Sequence, residues 1–256
     1  MDRRSFLEIL GGVGAMTAAN ATEKRTAIYS LEQFKLKNGT QLPRLHEYFS
    51  NSYLPVASKL HAGPRIYLEA LIAPHMPQIM AIQGFHSFEE MFRLHAALDE
   101  DAGLSKAREA LEAGPESALE ALDSAILGAT PYSPEIVSED RSGKSARIFE
   151  LRQYHSPTWR QLEALHARFS EPEIKLFHRM GMHPLFYSST LIGPNQPNLT
   201  YLIPFENLAA REKAWTAFGA DEEWQQVRKE SVEKHGQISS IIQIALYKAT
   251  AYYPVR

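Results

Sequence analysis

Apolar and polar residues alternate through AIYSLEQF (27–34) and again through RIFELRQY (147–154), the period of short strands. A helical spacing follows the second of these. Leu162, Leu165 and Phe169 fall on one stripe, and Ser156-Pro157 is predicted to cap and start that helix. Residues 187–192 and 199–205 read as apolar strands joined through the breaker-rich GPNQPN. NLAAREKAWTAF (207–218) and SFEEMFRLHAAL (87–98) read as helices, with Asn207 and Ser87 as N-caps. QIALYKATAYY (243–253) supplies a closing strand. The Ala/Leu/Glu-rich stretch 107–127 reads as helix, break at Gly114-Pro115, and a second helix.

This pattern occurs twice. Displaced by 120 residues, the chain matches itself without a gap. Ile28, Leu31 and Gln33 fall on Ile148, Leu151 and Gln153; Leu42, Leu45, His46, Phe49 and Ser50 fall on Leu162, Leu165, His166, Phe169 and Ser170. Pro64 and Tyr67 meet Pro184 and Tyr187, and ATPYSP (129–134) meets ATAYYP (249–254). A unit of this size is a duplicated domain rather than a solenoid repeat. Its order, strand-helix-strand-strand-helix-strand, is the ferredoxin-like βαββαβ unit, an antiparallel sheet with helices on one face and a bare second face. The expected fold class is therefore α+β, with two tandem ferredoxin-like units (24–136 and 146–256) covering each other's bare faces as a barrel within one chain. The polar VSEDRSGKS (137–145) reads as the linker.

The second copy resembles the NIPSNAP family. The resemblance rests on IFELRQY (148–154), the helix with LHARF, EPEIKLFHRMGMHP (171–184), YLIPFENLAAREKAWTAF (201–218) and DEEWQQVR (221–228). In that family a strand of the type ELRxY opens the unit, and an AREKAW…W helix follows the third strand. The first copy departs from the pattern: YSLEQF lacks the arginine, and EEMFRLHAAL lacks the tryptophan. The resemblance implies a dimeric α+β barrel and carries no catalytic residues across. Related barrels include cofactor-free monooxygenases, isomerases and haem-handling proteins, a likeness of fold alone.

Composition narrows the address and the partners. With 44% hydrophobic and 22% charged residues and a formal net charge of −3, the chain has no basic field for nucleic acid or anionic lipid. It holds no cysteine, which removes disulfides, Fe–S clusters and thiol chemistry. The N-terminus, MDRRSFLEILGGVGAMTAANA, pairs Arg3-Arg4 with a mild apolar run and a small-residue site at Ala19-Asn20-Ala21. This is the form of a twin-arginine export signal over 1–21, so the mature chain is expected in the periplasm or outside the cell. The apolar run is too short to span a bilayer, and the Gly12-Val13-Gly14 within it follows no strand and is not a nucleotide loop.

Candidate chemistry is sparse. Glu150, Arg152 and Tyr154 share one face of their strand, with Glu32 on the equivalent face in the first copy. Charges on a strand covered from both sides form either a structural ion pair or a polar lining that orients a ligand. His46 and His166 border apolar helix stripes, where an imidazole serves as a hydrogen-bonded boundary residue or as an acid–base group. His178 and His183 are poorly spaced for a metal, no metal site is expected, and no cofactor is called for, with haem left open. Three functions remain in play: binding of a small apolar molecule in or beneath the barrel, cofactor-independent oxygenase or isomerase chemistry, and assembly with a partner or a second copy. In the second, His46 or His166 takes a proton and Arg152 steadies the oxyanion.

Overall fold

The computed structural model describes residues 25–113, 116–137 and 147–252. The proposed export signal with Arg3 and Arg4, the Gly114-Pro115 break and nearly all of the 137–145 linker lie outside them.

The first half runs β1 (Ile28–Lys35), α1 (Gln41–Tyr48), a π-helical turn (Phe49–Tyr53), α2 (Leu54–Leu60), β2 (Arg65–Ile72), β3 (Gln78–Phe85), α3 (Phe88–Glu100), α4 (Ala102–Glu112) and β4 (Ala121–Ala129). The second half repeats the order as β5 (Ile148–His155), α5 (Trp159–Arg168), a π-helical turn (Phe169–Glu173), α6 (Ile174–Arg179), β6 (Phe186–Ile192), β7 (Asn198–Phe205), α7 (Leu208–Ala220), α8 (Glu222–His235) and β8 (Ile241–Ala249). Ser87 and Asn207 cap α3 and α7 as expected, their side chains accepting from Glu90 N and Ala210 N.

Two local readings are corrected. Thr158, not Ser156, caps α5, accepting from Gln161 N; Ser156 instead donates to the carbonyl of Ile238 at 2.6 Å. The stretch 121–127, read as a helix from its Ala and Leu content, lies in β4, in keeping with the likeness of DSAILGATPYSP (123–134) to the closing strand of a NIPSNAP-type unit. There it pairs with β1 along its length, and sheet pairing overrides a weak helix propensity.

The eight strands close into one antiparallel barrel in the order β1-β3-β2-β8-β5-β7-β6-β4. Each half supplies four consecutive strands, and the halves meet along two seams. β2 pairs with β8 from Leu68↔Ala249 to Ile72↔Leu246, and β4 pairs with β6 from Ile126↔Ile192 to Ala129↔Ser188. The bare faces thus become the barrel interior, packed with Tyr29, Leu68, Ile82, Phe149, Leu202 and Tyr247. Each such buried side chain contributes about 1.5–3 kcal/mol. The opposite faces carry the helices over separate aromatic-rich cores.

Beyond the seams, each closing strand sends its tail over the other half. Thr130 donates from N and Oγ1 to Tyr187 O, and Thr250 does the same to Tyr67 O.

Since each half leaves both outer strands unpaired without its sister, a fragment of residues 146–256 is expected to run as a dimer or to aggregate in size-exclusion chromatography with light scattering. A folded monomeric fragment would show that these edges stand alone.

Candidate functional site

The repeated histidine has a mechanical explanation in both halves. His46 lies on α1, where Nε2–H donates to the Glu69 carboxylate at 3.2 Å and Nδ1 sits 3.2 Å from Tyr252 Oη. His166 lies on α5, with Nδ1 2.6 Å from Tyr132 Oη and Nε2 2.8 Å from Ser189 Oγ. Tyr132 follows β4 and Tyr252 follows β8, so each imidazole grips the tail of the opposite half. Burial pushes the His166 imidazole down to about 4, which leaves it uncharged at neutral pH.

Glu150, Arg152 and Tyr154 face the helices rather than the barrel interior, which is lined from this strand by Phe149, Leu151 and Gln153. Alternation placed each trio on one face; only the tertiary fold shows which face meets which layer. Glu150 is wholly buried. It accepts from Arg152 Nε, from Arg211 Nε at 2.5 Å and from Trp215 Nε1 at 3.0 Å. The Arg152 guanidinium lies 3.6 Å from the centre of the Trp215 ring and donates to Tyr154 Oη at 2.8 Å. Nearby, Arg168 Nε donates to Glu173 Oε2 at 2.8 Å, and burial still lifts Glu173 to about 7. Breaking a buried set of this kind costs about 3–5 kcal/mol because a desolvated charge is left unmatched. Arg211 and Trp215 were visible in the sequence only as parts of the AREKAW motif, with no role at Glu150; their spacing of four on α7 is the signal that sets both on one helix face.

Arg152 and His166 share no hydrogen-bond partner among the described residues, and neither lines the cavity at the barrel mouth or the concavity beside α7. Glu32, on the helix-facing side of β1, is partly exposed and has no hydrogen-bond or ion-pair partner among the described residues; burial raises its carboxyl above the usual range.

The concave site lies at one mouth of the barrel, a cavity of about 410 Å³. Leu31, Leu127, Leu151, Ala125 and Ala245 form its floor, and Gln33, Gln78, Gln153, Asn195 and Gln243 form an amide rim. Gln33 and Gln78 donate to Tyr247 Oη at 3.3 and 2.8 Å. Asn195 donates to Gln153 Oε1, which in turn donates from Nε2 to Thr200 Oγ1, each at 3.1 Å. The charged groups at the mouth are already engaged: Lys35 Nζ lies 2.5 Å from Asp123, and His75 Nε2 bonds the carbonyl of Leu36 at 2.7 Å. Leu31 and Leu151, Gln33 and Gln153, and Ala125 and Ala245 are equivalent pairs in the repeat, so the mouth sits between the two halves. A second concavity of about 650 Å³ lies outside the barrel beside α7, where Arg179 is paired to Asp221 and Glu223. No group of three or more potential metal ligands, and no helix long and apolar enough to cross a membrane, occurs among the described residues.

An imidazole held near 4 in the fold but near 6.5 in the unfolded chain makes the unfolded state the better proton acceptor between those values. The contribution is complete above pH 6.5 and is lost as pH falls toward 4. NMR titration of His166 is expected to show a midpoint near 4, and His166→Gln is expected to flatten that part of the stability profile. A midpoint near 6.5 would mean that the imidazole is solvated.

Comparison with solved structures finds the same fold in several proteins. A candidate monooxygenase from Lactobacillus acidophilus NCFM is 11% identical, with 88% of this chain and 97% of that chain covered and a TM-score of 0.55. A candidate monooxygenase from Fusobacterium nucleatum subsp. nucleatum ATCC 25586 is 10% identical over 88% and 93%, with a TM-score of 0.57. An anthrone oxidase-like protein is 11% identical over 89% and 92%, with a TM-score of 0.51. At such identities the likeness is one of fold. Comparison with curated proteins gives no match. Within the chain, residues 149–252 match the NIPSNAP family model, so the second half is similar to that family, on an α+β barrel that this single chain closes by itself.

Proposed function

We propose that this protein is an exported carrier or sensor that takes a small, mostly apolar molecule into the mouth of its barrel. The observation that carries the reading is the mouth cavity, about 410 Å³ with an aliphatic floor and an amide rim. That size and that mixture of apolar walls with a few polar groups are typical of small-molecule sites. Uncharged amides both donate and accept, which suits a neutral ligand bearing one or two carbonyl or hydroxyl groups.

Binding is favoured over turnover. The monooxygenase names of similar folds supply the motive for a cofactor-independent oxygenase or isomerase, but a proton acceptor at this mouth would have to be His75, Lys35 or Asp123. Each is engaged with a partner. His46, His166 and Arg152, the sequence candidates for that chemistry, lie on the helix side with partners of their own. Association through sheet faces and edges has less to offer, since the seams within the chain use both.

A thermal-shift screen against hydrophobic metabolites, haem included, is expected to reveal a stabilising compound. Leu151→Trp, which fills the floor, should abolish the shift and leave the ligand-free fold intact by circular dichroism. A broad library without any shift, or a shift that survives the tryptophan, counts against the mouth. For the address, replacing Arg3 and Arg4 by Lys should hold the full chain in the cytoplasmic fraction of an expressing bacterium. Unchanged export would remove the twin-arginine reading.

A further inference from the structure

The two helix–sheet spaces are built on equivalent strand positions, and their charges are opposite. In the second half the position is Arg152, a cation set among Tyr154, Tyr201 and Trp215 and neutralised by Glu150. In the first half the same position is Glu32, and the position matching Glu150 is Ser30. Around Glu32 the space is again aromatic. Phe49 meets Phe34 at 5.2 Å between ring centres, Tyr67 at 5.1 Å and Tyr53 at 5.8 Å. Glu32 and Tyr67 flank Ala81 on one sheet face, and the Glu32 carboxylate acts electrostatically on the hydroxyls of Tyr53 and Tyr67.

Among the described residues of the first half, none pairs a positive charge with Glu32. Arg65, the cation on the same sheet face, directs its guanidinium to the carbonyls of Ala57 and His61 and makes no bond to Glu32. Gln83, 2% exposed, donates to Tyr53 Oη and leaves its own Oε1 without a partner. The register also lightens the floor. Ala81 lies directly between Glu32 and Tyr67 across the strands, where the second half carries Tyr201 between Arg152 and Tyr187. A methyl group stands where the sister half has a phenol.

We infer that the first half holds a second binding site, formed by Glu32 with Tyr53, Tyr67, Phe34 and the Gln83 carbonyl, for a small organic ammonium. The ligand supplies from outside the cation that Arg152 supplies in the second half. Aromatic faces and a carboxylate are the chemistry by which methylated ammonium groups are recognised, because such groups shed water readily and attract ring quadrupoles. An unmatched carboxylate in a largely apolar space is unfavourable, and a bound cation relieves it. Partial exposure of Glu32 gives the site an opening, and its unsettled state fits the upward pull of burial on its carboxyl. The site is independent of the barrel mouth: Leu31 and Gln33, the neighbours of Glu32 on β1, point to the opposite side of the sheet.

Choline and its uncharged isostere 3,3-dimethylbutan-1-ol test the inference by isothermal titration calorimetry on the full chain. Choline is expected to bind at least about tenfold more tightly than the alcohol, and Glu32→Gln to bring the two to parity. Leu151→Trp, in the mouth, should leave choline binding unchanged, so failure of one site is read separately from failure of the other. In the unsubstituted protein, nuclear Overhauser contacts are expected between the choline methyl protons and the rings of Tyr53 and Phe34; this measurement stands even if Glu32→Gln does not fold. Equal affinity for the two probes, choline binding that survives Glu32→Gln, no choline binding at any soluble concentration, or contacts to other rings would overturn the inference.

Discussion

A four-stranded ferredoxin-like sheet with helices on one face leaves a bare apolar surface and two edge strands whose backbone groups lack partners. Both deficits must be met, since apolar surface is driven from water and buried N–H and C=O groups must be paired. Here one arrangement meets them together. The seams β2·β8 and β4·β6 pair all four outer strands and, in doing so, curl the two bare faces into a closed interior. The closing strands serve both sheets: β4 lies against β1 of its own half and β6 of the other, and β8 against β5 and β2. Their tails therefore emerge over the opposite half, and the bonds of Thr130 and Thr250, and of Tyr132 and Tyr252, follow from that exit.

The repeated histidine belongs to this closure. An imidazole offers two nitrogens on opposite sides of a small ring, so it can link a tail tyrosine to a strand side chain. The third partner differs between the halves, Glu69 in one and Ser189 in the other, while the tyrosine is the same in both. The shared element is the tail contact, as a clasp requires. A catalytic pair would instead be expected to keep the group opposite the tyrosine.

Much of the fold was legible because a duplication prints its own punctuation. Gln33 on Gln153 and Leu45-His46 on Leu165-His166 repeat at one spacing, which set the unit length, and strand and helix periods within the unit gave βαββαβ. Composition alone made 121–127 a helix because the pull of these residues to a strand comes from β1 and β6, far away in sequence; only the family likeness of 123–134 pointed to a strand. The Glu150–Arg152 pair was visible as an anomaly, but strand alternation has no sign, and only closure decides which face turns inward. The partners Arg211 and Trp215 come from a helix some sixty residues away. The amide rim gathers Gln33, Gln78, Asn195 and Gln243 from three strands and a turn, a set with no sequence spacing to betray it.

The pattern of divergence between the halves has a physical basis. The barrel interior is one shared core in which a larger side chain on one sheet presses on the other; Leu31 and Leu151, or Ala125 and Ala245, are alike, while Ile66 and Phe186, or Leu127 and Tyr247, differ in size. The helix–sheet spaces are separate cores that never meet, and each can change without disturbing the other. There Leu45 and Leu165, Phe49 and Phe169, and Tyr67 and Tyr187 are kept, while Ser30 parts from Glu150, Glu32 from Arg152 and Ala81 from Tyr201. In the second half Arg152 is packed with Glu150, Arg211 and Trp215 in one hydrogen-bonded set. In the first half no such set surrounds Glu32 among the described residues, so the two halves present opposite electrostatics behind equivalent strands.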